Sequence, residues 1–489
     1  MKTNSSLVDL LPKADISFLL VYLDIEHIGQ DGDTLFDPTS SNENHARSVH
    51  LRPLLGLQYI AGAACSAGIE SVILDQRIIP FDERNLAIYV KERGIQLVGF
   101  YTSFAQTSTN AQFISNLKKL TDISVVVGGP GYYEYKSLLA AGADIVCISE
   151  GEETIIEIIK KVKNRDFDWR NVKGVAFLEN GVAKENEKRA LLDVNKIPYP
   201  VRNNFIPLSA YRDYFLPGFR SPYTGMLTSR GCPYRCSYCD SPNIWQNKVR
   251  QRSPDNVLEE IDYVVKRFDV KYIDMVDDVF GLDYNWVEEF CTKLIARNYN
   301  LHYKILVNPS TFGKKQEKTF EILAKSGCDT VGIGMQTADE DTLQFIRRKT
   351  ESPQRLVEAV ANAKRHGILT FVNFILGFPG EPDDVPERIM KLIDKARPTL
   401  IDCYGLLYLK GTELELMRRM NKVVDSDNYH RRFEGANKVK RHFYFSLRNL
   451  LTLFFWILFR NPTWYLFMAK NIITFHEFLF PGNTTKKSV

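Results

Sequence analysis

The sequence predicts an α/β protein in two successive halves, an open doubly wound sheet and then a partial (β/α)6 barrel, followed by a helical C-terminal extension. Three observations predict it. Short apolar runs alternate with amphipathic stretches from about residue 15 onward, the spacing of that alternation changes between the halves, and after about residue 415 it stops. The 489 residues carry 63 Lys+Arg against 59 Asp+Glu, a net charge of +4, which argues against a dedicated nucleic-acid binder. With 44% hydrophobic and 25% charged residues the chain is an ordinary folded one, neither disordered nor collagen-like. At roughly 100 to 200 residues per domain, two to four domains are expected. Eight Cys are too few for a disulfide scaffold, and MKTNSSLVDLLPKADIS lacks an apolar signal core, so reduced thiols in a cytoplasmic protein are expected.

In the first half, 1–165, apolar runs at 16–22, 71–74, 97–101, 124–127 and 145–148 are separated by helical patterns. Five parallel strands with helices on both faces form a flavodoxin-like sheet, which binds ligands beyond the carboxyl ends of its strands. Those ends read FYTSFAQTS, VVVGGPGYY and CISEGEET. Gly128, Gly129 and Gly131 let backbone approach a large flat ligand, and Thr102, Ser103, Ser149, Glu150 and Gly151 offer polar or close-approach positions beside it. From 166 to 222 a linker is expected, with a hairpin in which 173–178 and 182–183 flank Glu179-Asn180-Gly181, followed by the Pro-spaced IPYPVRNNFIPLSAYRDY.

The barrel, 223–414, takes strands at 225–228, 272–276, 303–307, 330–335, 370–376 and 400–407 with five helices between them. SPDNVLEEIDYVVKRF shows the pattern, with Val257, Ile261, Val264 and Val265 on one face behind a Ser253 cap and Pro254 in the first turn. Functional groups in βα barrels gather where strands meet the following loops. The first such end carries Cys232, Cys236 and Cys239 in SRGCPYRCSYCDSP. A C-x3-C-x2-C loop aims three thiolates at one centre and leaves a position open. Structural zinc takes four protein ligands, and no fourth Cys or His lies nearby, whereas three thiolates on a cubane iron-sulfur cluster leave one iron free. The other five, Cys65, Cys147, Cys291, Cys328 and Cys403, read as small buried hydrophobes. The second strand ends at Asp277 and Asp278, the fourth at Gln336 and Thr337, and the fifth at Gly377, Pro379 and Gly380. Arg347, Arg348 and Lys349 read as a solvated face.

The cysteine string, with aromatic Tyr238 before the third Cys, resembles the signature of the radical SAM superfamily. The resemblance implies a 4Fe-4S cluster on the three cysteines whose open iron chelates S-adenosylmethionine, reductive cleavage to a 5'-deoxyadenosyl radical, and a reductant protein such as flavodoxin or ferredoxin. Asp277 and Asp278, Gln336-Thr337 and the Gly377–Pro379 turn resemble, in order, the segments near the methionyl end, the ribose and the adenine, although many relatives carry Glu-Ser where this chain has Gln336-Thr337. For the two aspartates, a loop pair or helix cap is an equal reading. YLKGTELE resembles a family turn reading Pro-Gly-Thr, with Lys410 in place of the Pro.

LRPLLGLQYIAGAACSAGIESVILD, the Gly-Gly loop and SEGEE together resemble the cobalamin-binding domain that precedes many radical SAM barrels. DIEHIG departs by one residue from the D-x-H-x-x-G motif that supplies a His to cobalt, so Asp24, His27 and Gly29 are expected to provide no lower ligand. The combination implies a cobalamin-dependent radical SAM enzyme, in the first place a C-methyltransferase acting on a small-molecule or lipid-like substrate. Oxidation, cyclisation or rearrangement with the same cofactors is the second enzyme reading, and a cobalamin and iron-sulfur sensor without turnover is the third.

The extension, 415–489, first clusters Arg418, Arg419, Lys422, Arg431, Arg432, Lys438, Lys440 and Arg441, then turns apolar and aromatic. Its uncharged stretch from 449 to 459 is too short for a span of about 20 residues. Two readings stay open: peripheral contact with the inner membrane face, or a helical cap on the open barrel edge.

Overall fold

The computed structural model describes residues 17–24, 50–202, 205–213, 220–423, 429–444 and 446. The chain divides into two compact units, one built on residues 53–211 with the first strand, the other on 212 onward with residues 50–52.

The first unit is a seven-stranded sheet. Its strands are β1 Phe18–Tyr22, β2 Ser71–Asp75, β3 Leu97–Tyr101, β4 Ser124–Gly128, β5 Ile145–Cys147, β6 Val175–Glu179 and β7 Val182–Glu185, in the order β2-β1-β3-β4-β5-β6-β7. The first five are parallel. FLLVY, SVILD and SVVVG are near-continuous apolar runs because helices bury both faces of a parallel sheet. One face packs around Leu86, Phe113 and Ile114, the other around Leu57, Ala61 and Ile158. The helices are α1 Leu55–Ser66, α2 Glu83–Glu92, α3 Thr107–Leu120, α4 Tyr135–Ala140 and α5 Glu152–Lys163. The 2-1-3-4-5 order places a topological switch between β1 and β3, where such sheets open a crevice at their carboxyl ends.

The segment expected to be a linker is largely part of this unit. Its hairpin pairs antiparallel with β5 and satisfies an edge that would otherwise stay open. Further on, Val201 N–H donates to the Gln58 carbonyl at 3.0 Å, and a Cβ on Gly62 of α1 would stand 2.3 Å from the Tyr199 carbonyl. Gly62 is therefore the gap through which the chain crosses its helix.

The second unit holds six parallel strands in sequential order: β8 Tyr223–Met226, β9 Tyr272–Met275, β10 His302–Val307, β11 Cys328–Gln336, β12 Leu369–Leu376 and β13 Leu400–Gly405. The five longer helices between them are α6 Pro254–Phe268, α7 Tyr284–Ala296, α8 Gln316–Lys325, α9 Pro353–Arg365 and α10 Val385–Ala396. Side-chain oxygens of Ser253, Asp283 and Ser352 cap α6, α7 and α9 as their composition dictates. Alternation along β10 sends Tyr303 outward, where it reaches Ser326 after α8 at 2.7 Å, and Lys304 inward.

After α11 Glu413–Arg419, helix α12 Tyr429–Tyr444 lies along the free edge of β13. Tyr444 donates to the Ile401 carbonyl at 2.6 Å, Lys440 pairs with Asp402 at 3.3 Å, and Lys438 pairs with Glu387 of α10. Lys440 is thus buried inside the fold while Lys438 pairs at the surface, and helix 429–444 packs on the barrel edge. No helix among the described residues is long and apolar enough to cross a membrane. The 449–459 stretch and His27 and Gly29 lie outside the described residues. Cys65 is exposed, contrary to expectation, while Cys147, Cys291, Cys328 and Cys403 are buried.

Candidate cofactor and active site

The cysteine loop leaves β8 through Thr228, Ser229 and Arg230, and a short antiparallel ladder with Arg250 and Gln251 straightens its entry. Gly231 then takes φ +98°, and a Cβ there would lie 1.9 Å from the Lys248 carbonyl. Both aspartates at the end of β9 are turned toward this entry. Asp277 accepts from Thr228 N–H at 2.7 Å, from Ser229 N–H at 3.1 Å and from the Thr228 hydroxyl. Burial pushes its carboxyl up to about 6 against the pull of those donors. Asp278 accepts from Gly231 N–H at 3.1 Å. Asp277 is therefore a strut of the cysteine loop, with its oxygens committed to the chain.

Cys232, Cys236 and Cys239 follow on this loop, where Cys239 N–H donates to the Cys236 carbonyl at 3.1 Å. Burial pushes the Cys232 thiol up to about 11 and the Cys239 thiol up to about 12, so ligation of a cation has to release their protons. Among the described residues no three His, Cys, Asp or Glu side chains converge as a site for a single ion. A cubane takes one thiolate on each of three irons and so fits a spaced thiolate set without a convergent ion site.

The solvated-face reading fails for Arg348. The short helix Glu340–Phe345 ends in a left-handed turn at Arg347, φ +64°, with Arg348 N–H donating to the Leu343 carbonyl at 2.7 Å. That turn sends Arg348 into the protein, where it is buried. Its guanidinium donates to Asn308 at 3.0 Å and to the Gly334 carbonyl, and it lies within electrostatic range of Cys236 and Tyr238. Run composition could not separate Arg348 from Arg347 and Lys349, because only the turn distinguishes which way each points. Gln336 sits after a register shift at φ +76°, its amide folded over Gly334. The Tyr238 ring meets Phe378 edge to face at 5.4 Å. Tyr238 of the cysteine loop thereby meets the turn after β12, beside the end of β11 that carries Gln336.

Glu381, which sequence reasoning passed over, ties two predicted segments together. It accepts from the Thr337 hydroxyl at 2.9 Å and from Gly377 N–H at 2.6 Å, while Pro379 and Gly380 form the turn between. Burial pushes its carboxyl up to about 7. A carboxyl whose folded value is raised holds its proton more tightly in the native state, so its contribution to stability falls as pH rises from the usual 4.5 through about 7 and is level above. Glu381→Gln is expected to flatten that part of the pH dependence, read by urea denaturation between pH 5 and 8.

The GT turn expected after the last strand also serves the cysteine loop. Thr412 caps α11 at Glu415 N–H, the Gly411 carbonyl accepts from Asn243 at 2.8 Å, and Leu414 N–H donates to the Ser237 carbonyl at 2.8 Å.

In the first unit, the predicted positions lie at the ends of β3, β4 and β5. Gly129 has φ +112°, and a Cβ on Gly131 would meet the Ser103 carbonyl at 2.6 Å, so the two loops touch backbone to backbone. Thr102 N–H donates to the Gly128 carbonyl at 2.8 Å and Gly131 N–H to the Thr102 carbonyl at 3.0 Å. The Thr102 side chain is fully buried. Ser149 takes φ +76° at the end of β5. Glu150 accepts from Leu192 N–H at 2.8 Å, which joins this end to the segment after the hairpin. Gly151 leads into α5, whose first turn carries Glu152 and Glu153. The glycines of the β4 loop are therefore required for its close packing on the β3 loop.

Residues 49–159 match the family model described as B12 binding domain, and residues 226–393 match that of the radical SAM superfamily. The chain is 26% identical over 349 residues to an uncharacterized methyltransferase of Pyrococcus horikoshii, covering 70% of this chain and 73% of that protein. It is 25% identical over 292 residues to the anaerobic magnesium-protoporphyrin IX monomethyl ester cyclase of Rubrivivax gelatinosus, covering 57% of this chain and only 50% of the cyclase. The fold is that of the radical S-adenosylmethionine methyltransferase TsrM from Kitasatospora setae, solved with cobalamin and a [4Fe-4S] cluster, at TM-score 0.63 and 20% identity over 83% of this chain and 75% of that one. OxsB, a cobalamin-dependent S-adenosylmethionine radical enzyme, gives TM-score 0.62 at 16% identity over 85% and 56%. With both domains matched and the shared fold around them, the chain belongs to the cobalamin-dependent radical SAM enzymes, whose cofactors are a 4Fe-4S cluster, S-adenosylmethionine and cobalamin.

Proposed function

We propose that this enzyme methylates an unactivated carbon of a small molecule, with Cys232, Cys236 and Cys239 as the cluster ligands. When bound, the cofactors supply a hydrogen-abstracting radical from S-adenosylmethionine and a methyl group from cobalamin. The observation that carries the reading is the buried Arg348 guanidinium, held by Asn308 and the Gly334 carbonyl within electrostatic range of Cys236 and Tyr238. That cation stands beside the cysteine loop and suits a carboxylate such as the methionyl one. Asp277 and Asp278 hold the loop's entry, Gln336 and Thr337 offer polar groups at the end of β11, and the Gly377–Pro379 turn lets a flat ring approach backbone. Thr102, Ser103, Gly128, Gly129, Gly131, Ser149, Glu150 and Gly151 bound the crevice assigned to cobalamin.

The inner face of the barrel supports a substrate with polar groups. Lys304 and Asp274 pair there at 3.0 Å, and register places Asn373 and Asp402 on the same face. Methyl transfer is favoured by the name of the P. horikoshii relative, and cyclisation, the second reading, by that of the cyclase.

The test is anaerobic reconstitution with iron, sulfide and cobalamin, then dithionite and S-adenosylmethionine with candidate substrates. Both 5'-deoxyadenosine and S-adenosylhomocysteine are expected. 5'-Deoxyadenosine alone points to oxidation, cyclisation or rearrangement, and neither product from a loaded cluster points to a sensor. Separately, Gly131→Ala forces its Cβ against the Ser103 carbonyl and is expected to weaken cobalamin binding at least about tenfold, a cost near 1.4 kcal/mol, by equilibrium titration, with iron content unchanged.

A further inference from the structure

The barrel strands are closed on their helix side and open on their inner side. Along β12, Val372, Phe374 and Leu376 are buried, whereas Phe371, Asn373 and Ile375 between them are partly exposed. Register carries Leu306 of β10 and Tyr404 of β13 to the same inner face, and both are partly exposed as well. The interior of a closed βα barrel is filled by side chains. Partial exposure at these positions therefore marks an interior with room for a ligand, walled mostly by hydrocarbon.

The charges of this face are already answered. Asp274 and Lys304 pair at 3.0 Å with side chains 3% and 11% exposed, and Asp402 pairs with Lys440 of α12 at 3.3 Å with side chains 11% and 6% exposed. At the strand ends Asp277, Asp278 and Glu381 accept from Thr228, Gly231 and Gly377, and Arg348 donates to Asn308 and Gly334. Arg52 lies within electrostatic range of Tyr404 but is exposed, so water screens its charge. Asn373 differs from all of these. Its Oδ1 is buried and accepts no hydrogen bond among the described residues. A buried acceptor without a donor is costly, and such an atom calls for a partner that arrives from outside the chain. Asn373 also pairs in register with Gly334, whose carbonyl receives Arg348, so it stands at the level of the group assigned to the methionyl carboxylate.

We infer that Asn373 anchors the substrate by accepting a hydrogen bond from an uncharged hydroxyl or amide N–H on an otherwise apolar body. The inference rests on the radical SAM methylase reading and narrows its substrate class. An ionised substrate group entering this interior loses water and finds each inner-face charge already paired, which disfavours it. A neutral donor loses less and regains its hydrogen bond at Asn373, while the hydrocarbon walls take the rest of the molecule. A few polar groups in a mostly apolar pocket fix the orientation of what binds there.

The test uses the full-length protein reconstituted with iron, sulfide and cobalamin, with S-adenosylmethionine present. Its probes share one aromatic body and differ in charge: naphthalene, 1-naphthylmethanol, 1-naphthoate and 1-naphthylmethylammonium, each measured by equilibrium dialysis at neutral pH. The alcohol is expected to bind about tenfold or more tighter than either ion, since the ions lose their hydration without gaining a counter-charge. Asn373→Leu is expected to weaken the alcohol about tenfold while leaving naphthalene and S-adenosylmethionine within about twofold, because only the hydrogen bond is lost. Ile375→Ala is expected to weaken naphthalene and the alcohol by one common factor of about threefold or more, since it removes apolar wall and no polar group. That second variant keeps the test decisive should Asn373→Leu fail to hold iron. An alcohol bound no tighter than an ion, or unmoved by Asn373→Leu or by Ile375→Ala, would overturn the inference. An equal fall in S-adenosylmethionine affinity would overturn it too, by assigning Asn373 to the cofactor. Failure of the underlying radical SAM reading shows separately, as a loaded wild-type protein that forms no 5'-deoxyadenosine with dithionite.

Discussion

Cys236→Ala is expected to abolish the visible absorption of the reconstituted cluster and to lower 5'-deoxyadenosine formation by about a thousandfold or more, the scale seen when a committed catalytic group is removed. The cause is local. Cys236 is the middle of the three thiols on the loop, and alanine offers no sulfur in its place. Its removal leaves the Arg348 guanidinium held by Asn308 and the Gly334 carbonyl, so the fold is expected to survive. Circular dichroism unchanged from wild type, with iron and product both lost, is the expected pattern. Retained 5'-deoxyadenosine would remove Cys236 from the ligand set.

Arg252→Ala is expected to destabilise the barrel by about 3–5 kcal/mol, the range for stripping one partner from a buried ion pair. Arg252 donates to the Leu227 carbonyl at 2.7 Å, to Glu260 at 2.5 Å and to Asn256 at 2.7 Å, with both members of the Arg252–Glu260 pair buried. Leu227 is the residue just after β8, so the guanidinium clamps α6 to the strand that launches the cysteine loop. Without it, Glu260 stays buried beside a lost cation. Arg252→Lys keeps the charge but not the planar fork, and an intermediate loss is expected. Arg252→Met combined with Glu260→Leu should recover much of the stability, because no buried charge then remains uncompensated. Denaturant unfolding followed with iron content distinguishes these cases, since the cluster loop loosens with its anchor.

The architecture was legible because both halves use the same local rule. Apolar runs of four to nine residues bounded by capping and turn residues make parallel strands wherever helices cover both faces, and all eleven strands predicted for the two main sheets are present in β1–β5 and β8–β13. Caps at Ser253 and Thr412 are local for the same reason, since a hydroxyl reaches a backbone N–H within three residues. The hairpin was visible from Asn180-Gly181, but its addition to β5 was not, because an edge strand's need for a partner is written in no single segment.

At the site, sequence spacing determined the cysteine triplet and the glycine loop after β4, since short stretches of chain carry those residue types together. Only the tertiary structure decided which polar groups meet there. Asp277 spends its oxygens on a strand 48 residues away, Glu381 bridges Thr337 across 44 residues, and Arg348 leaves a basic run to enter the site. Lys440 leaves another basic run and becomes a buried partner of Asp402. A charged side chain's role is set by the dielectric and the counter-charge around it, and both are supplied by residues remote in the chain.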